Sequence, residues 1–313
     1  MTNYKNISDY IQQQRKKADL TQEQLCQVLT AFSPEFGDLD PLAVSRWERG
    51  KVEPSLNRQL EIIRYFGDEP YQIITAAEFH SKNLPSIDAM NKLLVARAKF
   101  KHYLGAHPYL PQQDLRYQQV CPPDELADRS CQHLSHYIAN LSFGCEQWDP
   151  QYLQQLQNTE SSLVSYYFYF GQLAGHSYAL RVKPKYFEQL LHCEIDETDV
   201  KPEMLALPSE PAGLYIYSVY AGRIQAINQI YQHLFKAIAN DPSLAQFGMR
   251  VRRDIAHVML ESIPHTLEAL GPPSDNIELG IKHQGKRYQF ISCRIERLAL
   301  LNSPVLLNIL RDD

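Results

Sequence analysis

Apolar residues recur at helical spacing in the N-terminal part of the chain, and start and stop signals divide them into four predicted helices. The first begins near Ile7. Thr21, with a Gln three residues on, forms a capping box that opens the second. Asp40 followed by Pro predicts the start of the third, and Gly50 stands where a left-handed residue would end it. Pro54 opens the fourth.

Beyond a polar, proline-containing segment at 81–86, the pattern changes from purely helical to mixed. One helix is predicted over 86–104. From about residue 114, aromatic and β-branched runs alternate with helical stripes, which predicts an α/β (α+β) unit. The predicted strands are 115–121, 163–170, 176–182, 213–220, 254–261, 277–282 and 286–295, and the predicted helices are 123–140, 149–157, 184–191, 224–239 and 264–270. We therefore expect a helical domain at 1–80, a linker with a helix at 81–113, and an α/β domain at 114–313.

Composition and charge are those of a globular protein with more than one domain. The 313 residues are 44% hydrophobic, with a net charge of -5 and a pI of about 6.1. The chain has no run of about 18 apolar residues, so we expect no membrane span. Its N-terminus also lacks an apolar signal core. The six cysteines form no C-x-x-C pair and no ligand cluster. We therefore expect free thiols in a cytoplasmic protein, with no metal site and no cofactor.

Three runs in the helical part carry a family resemblance: Leu20-Thr21-Gln22-Glu23-Gln24-Leu25, Val44-Ser45-Arg46-Trp47-Glu48-Arg49-Gly50 and Glu53-Pro54-Ser55-Leu56. Together they resemble the helix-turn-helix of the lambda-repressor-like (Xre/Cro) family over roughly residues 7–67. The resemblance implies an all-α DNA-binding domain whose third helix, about 40–49, lies in the major groove. The residues that it places against DNA are Gln22, Leu42, Ala43, Ser45, Arg46, Arg49, Lys51 and Arg58.

These residues have different expected roles. Arg46 is expected to contact a guanine, because its guanidinium matches the two acceptors of that base. Gln22 occupies a family position that contacts the DNA backbone, and Arg49, Lys51 and Arg58 are expected to contact phosphates. The link between the two motif helices is longer than the tight turn of the family, and it places two aspartates beside the expected groove.

The order of elements over 114–297, β-α-α-β-β-β-α-β-α-β-β, resembles the GNAT (N-acetyltransferase) superfamily. In that superfamily, a Gln/Arg-x-x-Gly-x-Gly/Ala turn after the fourth strand holds the coenzyme A pyrophosphate at a helix N-terminus. Here the turn is Gly222-Arg223-Ile224-Gln225-Ala226-Ile227, in which Gln225 and Ile227 stand where small residues should let phosphate approach. We therefore expect a GNAT-like fold that has lost acetyl transfer.

Tyrosines on two predicted strands are the candidates for a ligand pocket. Alternate strand residues face the same side, so Tyr167 lies with Tyr169 and Tyr215 with Tyr217, while Arg223 could attract an anion. The alternative is that these rings pack as ordinary core between the sheet and its helices. The arginines considered for an anionic effector are Arg181, Arg250, Arg252 and Arg253, of which two or three could be only exposed charges. The histidines considered for acid–base roles are His176, His257 and His265, and the absence of a nucleophile pattern near them favours structural roles.

Together these features predict a cytoplasmic, sequence-specific transcription regulator that binds a double-stranded DNA operator as a homodimer. Its α/β domain would sense a small-molecule effector or mediate dimerisation, without being an enzyme. Two alternatives stay open. The chain could be a GNAT-type acyltransferase fused to a DNA-binding domain, or a protein-interaction factor that has lost DNA binding.

Overall fold

The chain folds into two compact units. The computed structural model describes residues 4–76, 79, 118–141, 148–221, 224–252, 264–275, 280–303 and 307. Residues 1–90 and 301–313 form one unit, and residues 91–300 form the other. Of the residues near the end of the chain, 301–303 and 307 are described, and they group with the helical unit. The helix predicted over 86–104 lies outside the described residues.

The described part of the first unit is helical. Its elements are α1 (Ile7–Lys17), α2 (Gln22–Phe32), a 3₁₀ turn (Pro34–Phe36), α3 (Pro41–Glu48), α4 (Leu56–Tyr65) and α5 (Pro70–Ile74). Thr21 and Gln24 form the expected reciprocal capping box, and Asp40 accepts the N–H of Ala43 at the start of α3. Gly50 has a φ of +64°, as a left-handed end to that helix requires. The four helices predicted from the sequence are therefore confirmed.

The inward stripes of these helices form the core of the helical unit. Its completely buried residues include Tyr10, Ile11, Leu25, Leu29, Phe36, Val44, Ile62 and Ile63. Asn302 also belongs to this unit, because its Oδ1 accepts the N–H of Tyr71 at 3.0 Å in a buried hydrogen bond. The N-cap residue of α5, Glu69, makes no side-chain cap bond. Asn302 therefore satisfies a helix N–H that the local sequence leaves open.

The second unit contains helices and strands in alternation. Its helices are α6 (Glu125–Leu141), α7 (Pro150–Gln157), α8 (Pro184–Leu191), α9 (Ile224–Asn240) and α10 (Arg297–Leu301). Its strands are β1 (Gln118–Val120), β2 (Ser162–Tyr169), β3 (Gln172–Val182), β4 (Ala212–Ala221), β5 (Leu244–Val251), β6 (Thr266–Leu270), β7 (Ile281–His283), β8 (Lys286–Tyr288) and β9 (Ile291–Glu296). No helix that the structure describes combines the length and the apolarity needed to cross a bilayer.

Seven of these strands form one mixed sheet. Its order is β1-β2-β3-β4-β5-β9-β6, and β7 pairs with β8 in a separate hairpin. Neighbouring strands of the large sheet are antiparallel except β4 and β5, which are parallel. A parallel pair needs a crossover connection, and α9 supplies it. The predicted mixed α/β class is confirmed.

Helices cover both faces of the sheet. On one face, α6, α7 and α8 enclose a core that contains Tyr166, Phe187 and Tyr215. A Cβ at Gly248 of β5 would lie 2.6 Å from the side chain of Leu191, so α8 rests directly on that strand. On the other face lies α9, which contacts β2, β3 and β4. Alternate residues of each strand therefore enter different cores.

Three sequence predictions for this unit differ from the structure. Residues 264–270, predicted as a helix, contain strand β6, which is held by pairing with β9. Strand β5 was not predicted at all, because Gly248 and Arg250 interrupt its apolar pattern. The predicted closing strand at 286–295 is two strands, and only β9 joins the large sheet. The strand predicted at 254–261 lies outside the described residues.

Candidate functional site

Strands β4 and β5 separate halfway along their length. They pair from Ala212 and Leu244 as far as Ile216 and Met249. Beyond that point β4 stays paired with β3 to its last residue, and β5 stays paired with β9 to its own. In these fully described segments the two parallel strands make no further pairs with each other. A gap therefore opens between them toward their C-terminal ends, lined by backbone groups that the sheet does not use.

A bulge in β4 lies at the closed end of this gap. Ile216 is opposite Ala179 and Ser218 is opposite Tyr178, so Tyr217 has no partner in β3. A bulge of this kind re-aims side chains and is common beside functional sites. Here it leaves the ring of Tyr217 in the core under α7 and α8, 5.1 Å from the ring of Tyr215.

A buried polar cluster lies on the same side of the gap. Its centre is Glu197, which is 1% exposed and lies in the connection between β3 and β4. Its carboxylate accepts the hydroxyl of Tyr215 at 2.8 Å and forms an ion pair with Arg252, which directly follows β5. Its backbone carbonyl accepts the hydroxyl of Tyr152 at 2.9 Å. Charge and hydrogen bonds therefore tie the connection between β3 and β4 to α7, to β4 and to the end of β5.

Two polar atoms in this region have no hydrogen-bond partner in the described part of the chain: the hydroxyl of Tyr217 and Nε of Arg250. The guanidinium of Arg250 is held by the carbonyl of Ile195 at 3.0 Å, by Asp196 at 3.5 Å and by the ring of Phe290. Burial raises the pKa of Tyr217 well above its ordinary value, so its hydroxyl keeps its proton. Both atoms can donate a hydrogen bond to a group that enters the site.

Farther along β4, Ser218 lies beside a buried histidine. Its Oγ is 2.7 Å from Nε2 of His176 on β3, and the rings of Tyr137 and Tyr220 lie 5.3 and 5.9 Å from the imidazole. Burial lowers the pKa of His176 to about 3, so the ring is neutral at physiological pH. It can position Ser218, but it cannot supply a positive charge.

The structure does not bring the four predicted pocket tyrosines together. Tyr215 and Tyr217 lie in the core under α7 and α8. Tyr167 lies on the opposite face, where its hydroxyl is 2.9 Å from Nδ1 of His233 on α9. Tyr169 lies at the end of β2 with its ring against that of Phe170. The fifth predicted pocket residue, Arg223, lies outside the described residues.

The charged residues of the cluster were only partly expected from the sequence. Arg250 and Arg252 were considered as anion-binding groups or exposed charges, and the structure places both in the buried cluster. Arg181 is buried as well, and it pairs with Asp241. Glu197 was missed, because a carboxylate in an acidic loop carries no local signal of burial. Arg253 lies outside the described residues. Among the residues that the structure describes, no group of His, Cys, Asp and Glu side chains could hold a metal ion.

In the helical unit, the predicted DNA contacts fall into two groups. Three are tied to their own unit: Gln22 donates to Glu48 at 2.6 Å, Arg49 donates to Oγ of Ser45 at 2.9 Å, and Arg58 donates to the carbonyl of Glu35 at 3.0 Å. Four of the eight are exposed, namely Leu42, Arg46, Arg49 and Lys51, and the others are half-buried. Leu42 is 52% exposed, which leaves an apolar side chain in water beside Arg46.

A comparison of the sequence with known protein families found no match, and a comparison with curated proteins found none either. Solved structures similar to the chain include the ribosomal-protein-S18-alanine N-acetyltransferase from Escherichia coli, with 10% identity over 58% of this chain and 94% of that one and a TM-score of 0.35. The diaminobutyrate acetyltransferase from Paenibacillus lautus has 14% identity over 59% and 96%, with a TM-score of 0.34. FeeM, an N-acyl amino acid synthase from uncultured soil microbes, has 8% identity over 63% and 99%, with a TM-score of 0.39.

Proposed function

We propose that the α/β unit is a GNAT-type domain that binds an acyl thioester in the gap between β4 and β5 and transfers the acyl group to an acceptor. The observation that carries this proposal is the separation of the two parallel strands after Ile216 and Met249, with a bulge in β4 at the same point. An extended thioester could pair with the unused backbone groups along the gap, as a peptide does with a sheet edge.

The residues after β4 fit the diphosphate of coenzyme A. Helix α9 begins at Ile224, three residues after β4 ends, so the N–H groups of its first turn lie near the open end of the gap. Such groups bind phosphate through their unpaired hydrogens and the helix dipole. Ala226 in this turn is completely buried and has no side chain beyond Cβ. The side chains of Gln225 and Ile227, which we expected to obstruct phosphate, lie outside those that the structure describes.

The closed end of the gap has a group suited to acyl transfer. In that reaction an acceptor amine attacks the thioester carbonyl, the C–N bond forms and the C–S bond breaks. The nitrogen loses one proton, and the leaving thiolate takes up one, so the products are an amide and a free thiol. The buried hydroxyl of Tyr217, which stays protonated, can donate to the carbonyl oxygen or to the departing sulfur. Nε of Arg250, which has no hydrogen-bond partner among the described residues, is a second donor on this side of the gap.

The variant Gln225→Glu is expected to weaken binding of acetyl-coenzyme A by about tenfold, because it places a carboxylate in the first turn of α9 beside the diphosphate. Gln229→Glu is the matched control, since it adds the same charge about one turn farther into the helix. Thermal shift of the full chain with acetyl-coenzyme A measures both. Equal stabilisation of the two variants would contradict a diphosphate site at this helix end. Release of the free thiol of coenzyme A in the presence of amine acceptors then shows whether the chain transfers the acyl group or only binds the thioester.

A second function, sequence-specific DNA binding by the helical unit, is favoured by one observation on α3. This helix buries Val44 and Trp47 against its neighbours and presents Leu42 and Arg46 to solvent at the same time. An exposed leucine beside an arginine suits the thymine methyl group and the guanine acceptors of a major groove. We propose that two copies of the chain bind a two-fold symmetric operator through this face.

Arg46→Ala is expected to remove about 1–3 kcal/mol of discrimination between the operator and unrelated DNA, since a base contact carries sequence information. Arg64→Ala serves as the control, because that side chain is also exposed but pairs with Glu61 on α4. Fluorescence anisotropy with promoter DNA at two salt concentrations measures both. Specificity that Arg46→Ala leaves intact would rule out α3 as the recognition helix.

A further inference from the structure

In addition to the gap between β4 and β5, the α/β unit has a cavity between α6 and the sheet. Its volume is about 570 Å³, within the range of small-molecule sites. The apolar side chains of Leu126, Phe168 and Leu173 line it together with polar and aromatic side chains from α6, β3 and β4. None of these residues belongs to the polar cluster around Glu197.

The cavity follows from the sequence of α6, which has two inward stripes. One stripe, Ala127, Cys131, Leu134 and Ile138, packs into the core of the sheet. The adjoining stripe, Leu126, Ser130, His133 and Tyr137, lines the cavity instead. This stripe therefore borders an open cleft rather than packed core, and a cleft of this size lined by polar and aromatic side chains is typical of a ligand site.

Aromatic rings surround one end of the cavity. The ring of Tyr137 lies 4.8 Å from that of Tyr220 and 5.3 Å from that of His176, at tilted and edge-on angles. The imidazole is held through its Nε2 by Ser218 at 2.7 Å. The three rings therefore pack on one another and form an aromatic wall at this end of the cavity. A planar ligand ring that lay against this wall would gain an aromatic contact.

The opposite end of the lining is polar and carries a cation. Arg129 and His133 are both exposed residues of the lining. Arg129 forms an ion pair with Glu125 one turn away at 2.6 Å, and both side chains are more than 70% exposed. An exposed pair of this kind contributes little to stability, so a ligand anion can replace Glu125 at little cost.

We propose that this cavity binds a small aromatic acid, with its ring against Tyr137, Tyr220 and His176 and its anionic group at Arg129. Such a ligand would be an effector of the chain rather than the acyl acceptor, because the lining includes neither Tyr217 nor the polar cluster around Glu197. An aromatic amine of the same size would meet Arg129 with like charge, so the site discriminates by charge as well as by shape.

The probe for this site is 8-anilino-1-naphthalenesulfonate, an aromatic anion whose fluorescence rises when it enters an apolar site. We expect binding to the full chain, displacement by phenylacetate, and at least fivefold weaker displacement by phenethylamine, about 1 kcal/mol. Gln172→Trp, which fills the cavity from an exposed position of its wall, should weaken probe binding about tenfold or more. Arg129→Ala should weaken it by about fivefold.

Gln132→Ala is the matched control, because Gln132 is exposed on α6 but is not part of the lining. Circular dichroism confirms that each variant is folded. The proposal is overturned if Gln172→Trp and Gln132→Ala bind the probe equally, if the folded chain does not bind it, or if phenethylamine displaces it as well as phenylacetate. Binding of acetyl-coenzyme A by the same variants should be unchanged, which separates this site from the acyl-thioester site.

Discussion

Replacing Arg252 with methionine is expected to destabilise the α/β unit by about 3–5 kcal/mol, because it leaves the carboxylate of Glu197 buried without its cation. Glu197 is 1% exposed, and the hydroxyl of Tyr215, which also bonds its carboxylate, cannot neutralise a charge. Glu197→Gln should also destabilise the unit, since it removes the carboxylate that forms an ion pair with the buried guanidinium of Arg252. These are the largest single-residue effects that we expect in the chain.

The double variant Glu197→Gln/Arg252→Met provides the decisive comparison. Since neither charge is then left alone, it should be at least about 2 kcal/mol more stable than the sum of the single losses predicts. The exposed pair of Glu125 and Arg129 is the control, and its removal should cost less than about 1 kcal/mol. Urea unfolding can follow the emission of Trp148, which is buried in this unit, in a Trp47→Phe background. A buried ion pair would be contradicted if either single variant lost less free energy of unfolding than removal of the exposed pair does.

The second large effect is a pH dependence of stability that comes from His176. Burial lowers its pKa from an ordinary value of 6.5 to about 3. Tyr137, Tyr166 and Tyr220 surround the ring, and its hydrogen-bond partner is Ser218, so the groups packed on it are uncharged. Between about pH 6.5 and pH 3 the unfolded chain therefore holds a proton that the folded chain does not.

The free energy of unfolding must then fall as the pH falls through this range, by up to about 1.4 kcal/mol per pH unit. His176→Gln keeps a side-chain amide near Ser218 without the titrating ring, so this part of the pH dependence should disappear. Between about pH 6.5 and pH 5 the wild type should lose about 1.6 kcal/mol more stability than the variant. Urea titrations at three pH values measure the difference. Parallel pH profiles for the two proteins would show that the imidazole is hydrated in the folded state.

Local signals allowed the helical unit to be predicted well. Helix starts depend on side chains within a few residues, such as Thr21 with Gln24 or Asp40 with the N–H of Ala43, and these can be recognised in the sequence. Long-range contacts within this unit could not be predicted in that way. The cap that Asn302 gives to Tyr71 joins residues 231 positions apart.

The sheet could be predicted only in part, because strands are stabilised by pairing with distant segments. Residues 266–270 follow a proline and precede a glycine, which locally resembles a helix, yet pairing with β9 makes them a strand. The buried polar cluster beside the gap depends even more on distant contacts. Glu197, Tyr215 and Arg252 come from separate elements, and nothing near any one of them in sequence indicates the others.

Calorimetric titration of the full chain with acetyl-coenzyme A tests most directly whether the gap between β4 and β5 is an acyl-thioester site. We expect saturable binding of one ligand per chain, weakened about tenfold by Gln225→Glu and unchanged by Arg46→Ala. An acyl-thioester site in the gap would be contradicted if a chain that circular dichroism shows to be folded gave no heat of binding, or if Gln225→Glu left the affinity unchanged.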